Sequence, residues 1–189
     1  MSDVAASLPP LTYLTFDGIG AGVGASQVLP YVLGAAARGL DVTLHSFEQA
    51  APGEELTERL ADAGVDWRPH GFGGFGARAG SFRVARAVPW LRGRPLVHAR
   101  SDLAAASAIL ARPEAWVWDV RSFWIDQRMA LGSVRRGSLA ERALRGIERR
   151  AAERAARIVT SPTVPSRSWA VATARRLPSG PPSSPPAST

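Results

Sequence analysis

Apolar and polar positions exchange two periods along the chain as far as Thr160. Short apolar, β-prone runs predict strands over Leu11–Phe16, Asp41–Phe47, Val65–Pro69, Pro95–Ala99, Ala115–Val120 and Arg157–Thr160. Between them, helical spacing predicts helices over Ser26–Arg38, Gly53–Ala63, Ala79–Leu91, Asp102–Ala111 and Ser138–Ala156. Ser26 and Asp102 are the expected caps, and Gly39 and Gly64 the expected stops. Ser138 and Glu141 have the spacing of a capping box. Behind it, Leu139, Ala143, Ile147, Ala151 and Ala155 are the expected buried stripe, with the arginines facing out. The stretch Arg121–Gly137 has no steady period and is expected to be irregular.

Strands alternating with helices over short connections predict an α/β fold, a Rossmann-like parallel sheet with helices on both faces. Three segments follow: a flexible N-terminus (1–10), the folded domain (11–160), and a proline- and serine-rich tail (161–189). The tail has no acidic residue and no hydrophobic period, so it is expected to be disordered. From its abrupt change of character it is expected to be a truncated or out-of-frame ending.

The opening turn carries the densest chemistry. Asp17 to Gln27 includes Gly18, Gly20, Gly22 and Gly24, between a strand and a helix start. Backbone N–H groups and the helix dipole there suit an anion, and glycines allow close approach. The dinucleotide fingerprint fits only in part: Gly18 and Gly20 are followed by Val23, and Gly22 and Gly24 by Gln27. Glu48, after the second strand, could serve as the ribose acid of that motif. A turn that needs only small residues remains the plain alternative.

A second cluster is Asp119, Arg121, Asp126 and Arg128, set among Trp118, Phe123 and Trp124 just beyond a strand. Arginine offers bidentate donors to phosphate or carboxylate, and carboxylates accept from sugar hydroxyls or act as bases. The same residues could instead form ion pairs bracing a loop. Near the end of the fourth strand, Arg100 is the ligand-facing candidate and His98 the packed one.

Composition narrows the classes. Neither cysteine nor lysine occurs, which removes thiol chemistry, the P-loop lysine and Schiff-base catalysis. The three histidines are scattered and lack metal-ligand spacing, so no metal is expected. The net charge of +7 is not gathered into an aromatic-interleaved stripe, so no nucleic-acid partner is expected. No secretory leader and no apolar run of membrane-spanning length is present, which points to a cytoplasmic chain and leaves only peripheral membrane contact open.

Four blocks in order resemble the N-terminal half of family 4 glycosyltransferases. They are LTYLTFDGIGAGVGASQVLPYVLGAAARGLDVTLHSFE, LVHARSDLAA, WVWDVRSFWIDQR and RGSLAERALRGIERRAAERAARIVT, together spanning Leu11 to Thr160. The resemblance implies the acceptor-side domain of a GT-B enzyme, moving sugar from a nucleotide-sugar donor to a glycan, lipid or small-molecule acceptor with retention and without metal or cofactor. It implies that Gly20, Gly22, Gly24, Ser26 and Gln27 lie near donor phosphates and acceptor. Many members carry a histidine beyond the fifth strand; here Asp119 and Arg121 occupy that neighbourhood, and the catalytic residue stays unassigned. The family's donor-binding domain does not fit into residues 161–189, so the chain alone is expected to be inactive and prone to self-association. Two other classes stay open, a nucleotide- or NAD-binding oxidoreductase domain and a non-catalytic interaction module.

Overall fold

A computed structural model describes residues 8–121 and 124–160. The expected tail, most of the expected flexible N-terminus, and Phe123 lie outside those residues. Six strands form one parallel sheet: β1 (Leu11–Leu14), β2 (Val42–Glu48), β3 (Val65–Gly71), β4 (Leu96–Arg100), β5 (Ala115–Val120) and β6 (Arg157–Thr160). Their order is β3-β2-β1-β4-β5-β6, with every pair parallel. The chain winds outward from β1 to β3, returns, and winds outward the other way from β4. The fold is therefore the doubly wound α/β architecture, whose switch point lies between β1 and β4.

Alternating strand residues divide the core in two. On one face Leu11, Tyr13, Val42 and Leu44 pack with Val28 and Val32 and with Leu60. These come from helix α1 (Leu29–Ala36) with its π-helical lead-in (Gly24–Val28), and from α2 (Glu54–Asp62). On the other face Leu14, Phe47, Val97, Ala99, Trp116 and Trp118 meet α3 (Ala77–Leu91), α4 (Ser101–Ala111) and α6 (Leu139–Arg154). The remaining helix among the described residues, α5 (Trp124–Ala130), precedes α6. Because α4 buries mainly Ala104, Ala105, Ala106, Ala108 and Ala111, it sits close to the sheet. A helix of small residues brings its axis nearer to its neighbours than a leucine-faced one would.

Several local expectations need correction. Val23, not Ser26, is the cap of the first helical segment, and the Ser26 hydroxyl turns back to the Val23 carbonyl. The segment opens with π rather than α spacing, so the ordinary cap offset does not apply. Asp102 lies inside the first turn of α4 rather than capping it, because Arg100 takes the cap position. The region 121–137 contains helix α5. Leu139 is 80% exposed and Ala143 is exposed; the inward stripe runs through Leu144, Ile147, Glu148, Ala151, Ala152 and Ala155. The capping box is half formed. Ser138 Oγ accepts from Glu141 N, but Glu141 Oε2 accepts from Gly137 N, one residue early.

Candidate functional site

The turn after β1 doubles back on itself. A Cβ on Gly24 would lie 1.8 Å from the Gly18 carbonyl oxygen and 2.8 Å from Ile19 Cα, so only glycine fits. Glu48, at the end of β2, holds this turn: its carboxylate accepts from Ile19 N at 3.1 Å and from Ser46 Oγ at 2.5 Å. Trp67 Nε1 in turn donates to Ser46 Oγ at 2.9 Å. The acid that the dinucleotide pattern would need for a ribose is thus engaged with the protein's own backbone. Sequence spacing alone could not show that, because the partner amide lies 29 residues away.

Arg100 closes the switch point. Its side chain is only 2% exposed, yet it donates to Asp17 Oδ2 at 2.8 Å and to Gln27 Oε1 at 2.7 Å. One guanidinium thereby ties β4 to the turn after β1 and to the start of the first helix. Its Nε finds no partner among the described residues. Ser101 follows with φ of +72°, a left-handed conformation that costs a non-glycine residue about 1 kcal/mol.

Asp119 lies within β5, not beyond it, and is 1% exposed. Its Oδ2 meets Arg121 NH2 at 2.8 Å and His98 Nε2 at 3.3 Å. His98 is itself packed against Tyr13, with ring centroids 4.5 Å apart. Burial first, and then the Asp119 charge, push the Tyr13 phenol well above its ordinary pKa, so it stays protonated. Asp126 pairs with Arg145 of α6 at 2.7 Å. These pairs brace the loop and α5, while Arg121 keeps a partly exposed edge.

A cleft of about 1140 Å³ opens at this edge of the sheet. Of the residues expected to bind substrate, Gln27, Arg100 and Arg128 line it and Gly20, Gly22, Gly24, Ser26 and Asp126 do not; of the two catalytic candidates, Arg121 lines it and Asp119 does not. Asp17, Arg83 and Arg150 join the lining without having been singled out in the sequence. Arg83 was the hardest to foresee. It is buried on α3, and its NH1 donates to the carbonyls of Phe72 and Gly74, each at 2.6 Å, with its guanidinium 3.9 Å above the Phe72 ring. Two carbonyls on a glycine-rich loop leave no side-chain signature.

The histidines also hold a surprise. His45 Nδ1 and His70 Nε2 lie 3.0 Å apart, and Trp90 stacks on His70 at 3.8 Å. Burial, with neighbouring arginines, lowers both imidazoles to pKa about 4. Their 25-residue separation hides the pair until β2–β3 register brings it together. No family model, no curated protein and no solved structure matches this chain.

Proposed function

We propose that this domain forms the acceptor side of a glycosyltransferase cleft, serving transfer from a nucleotide sugar with retention. What supports this is convergence. The four blocks that resemble family 4 glycosyltransferases all contribute side chains to one cleft: Asp17 and Gln27 from the first, Arg100 from the second, Arg121 and Arg128 from the third, Arg150 from the fourth. The cleft lies where doubly wound sheets bind ligands, outside the carboxyl ends of the strands at the switch point.

A division of labour goes with this reading. Arg121 and Arg128 meet the negative charge of a phosphoryl group, and aligned cations of this kind stabilise charge on a departing diphosphate. Gln27 and Asp17 face hydroxyls of the acceptor and help to orient it. Asp119 is a positioning residue, since it is buried behind Arg121 and holds it. The dinucleotide reading is weakened by the engagement of Glu48 with Ile19 N.

Calorimetric titration of the purified chain tests this. Sugar phosphates and nucleotide sugars should bind, and Arg128→Gln should weaken them about tenfold or more, as loss of a charge-assisted hydrogen bond does. Tight NAD binding that disappears in Glu48→Gln would overturn the proposal.

A further inference from the structure

The net charge of +7 is dispersed along the sequence, yet the folded chain gathers part of it on one face. Between Leu131 and Arg157 three acids stand among eight arginines. Two of those acids are taken up by a single arginine. Arg145 meets Glu141 at 3.6 Å and the buried Glu148 at 3.5 Å, and it reaches Asp126 of α5 at 2.7 Å. Glu153 is left as the exposed acid of the segment. Arg135, Arg136, Arg142, Arg149, Arg150 and Arg154 are exposed and form no ion pair among the described residues. Helical spacing sets Arg142, Arg149 and Arg150 on one outward face of α6 with Leu139. Before α6, the buried Val134 anchors the turn, and the residues on either side of it stand out. Leu131 is 79% exposed, and Arg135 and Arg136 follow Val134. Leu139, at the first position of α6, is as open as Leu131.

We infer that the face made by residues 131–138 and the outer side of α6 docks on an anionic lipid bilayer, its arginines among the headgroups and Leu131 and Leu139 in the apolar boundary. Charge complementarity selects an anionic partner, and the two leucines select a lipid one. A nucleic acid would give the leucines nothing to bury against, and residues 131–157 hold no aromatic side chain on which a base could stack. A second copy of the chain carries the same +7 and would be repelled by this face. Each arginine brought near such a surface strengthens binding about fivefold, so a few of them suffice for reversible attachment. The inference does not depend on what the cleft binds.

Sedimentation of the whole chain with vesicles tests this, using phosphatidylcholine alone and phosphatidylcholine mixed equally with phosphatidylglycerol. The chain should pellet with the mixed vesicles and not with the neutral ones, and added salt should release it. Pelleting with neither, or equally with both, overturns the inference without recourse to any variant. An Arg135→Gln, Arg136→Gln, Arg149→Gln variant should bind the mixed vesicles about tenfold or more weakly. Arg150 is kept, because it also lines the cleft. A Leu131→Gln, Leu139→Gln variant should bind them about fivefold or more weakly, since its apolar contact is gone. All five positions are exposed, and circular dichroism checks that both variants fold. If the leucine variant binds as the native chain does, the face attracts polyanions in general and the lipid surface is wrong. Changing Arg167, Arg175 and Arg176 to glutamine should leave binding intact. Loss of binding there, with the Arg135, Arg136, Arg149 variant unaffected, would place the attraction beyond Thr160 and overturn the inference.

Discussion

Two glycine-rich loops close the carboxyl ends of β1 and β3, and opposite charges hold them. The first, after β1, is gathered from outside by the Glu48 carboxylate, which accepts a backbone N–H. The second, Gly71 to Gly76, is gathered by the Arg83 guanidinium, which donates to two backbone carbonyls. Glycine serves a different purpose in each. At Gly24 the requirement is space, because another part of the turn occupies the volume of a side chain. At Gly74 it is dihedral angle: φ is +105° and nothing lies within 4 Å of a Cβ. A loop crowded against itself is fixed by shape, whereas a loop in open space depends on its clamp.

The sharpest way to break this contrast is Gly24→Ala. A methyl group 1.8 Å from a carbonyl oxygen cannot be absorbed by a side-chain shift, so the turn must open. The expected loss is about 4 kcal/mol or more in chemical denaturation, the range reserved for severe core or backbone insults. A wild-type midpoint would show that the crowding is not real.

Acid should reach the second loop through the strand that leads into it. His70 precedes Gly71, and both imidazoles of its pair titrate near pH 4 when folded against about 6.5 unfolded. Depressed folded values mean that the unfolded chain takes up protons first. Stability is therefore full above about pH 6.5 and falls as pH drops toward 4, then levels off for these groups. The buried His45 alone corresponds to a loss of up to about 3 kcal/mol. Urea midpoints at pH 7.5 and 4.5 measure it, and a His45→Asn, His70→Asn double variant should flatten the difference. An unchanged slope in that variant would assign the acid sensitivity elsewhere.

The smallest of the three effects belongs to the clamp. Arg83→Met keeps the stem but leaves the Phe72 and Gly74 carbonyls without their donor, at about 2 kcal/mol. Amide exchange should quicken in residues 72–76 and not in residues 18–24. Equal quickening in both loops would erase the distinction between them.

What the sequence revealed follows the range of the interaction. Strand β5 runs over Ala115–Val120, as its apolar run predicts, because a central parallel strand is written in consecutive residues. The α6 stripe slipped because Glu148, paired with Arg145 at 3.5 Å, takes an inward position that a hydrophobic count refuses it. Burial raises the pKa of that carboxyl, which is the signature of a polar group placed among apolar ones. Helix α5 was missed among mixed charges and aromatics. In the cleft, Arg100 and Arg121 were visible because they stand at the carboxyl ends of strands, the positions where such folds bind ligands. Arg83, the engagement of Glu48 with Ile19 N and the His45–His70 pair were invisible, since each is defined by a partner supplied by another element.

The Arg100 clasp changes how a ligand would be met. A free arginine on a surface must surrender rotamer freedom when it grips an anion, a cost of roughly 0.5–1.5 kcal/mol for such side chains. Arg100 has already surrendered it, held by Asp17 and Gln27 during folding. Its charge is preorganised: it sets a fixed potential at the mouth of the cleft instead of closing around what arrives. Selectivity at this point then comes from whether a ligand suits an immobile template, and the adjustable part of recognition falls to the more exposed Arg121 and Arg150.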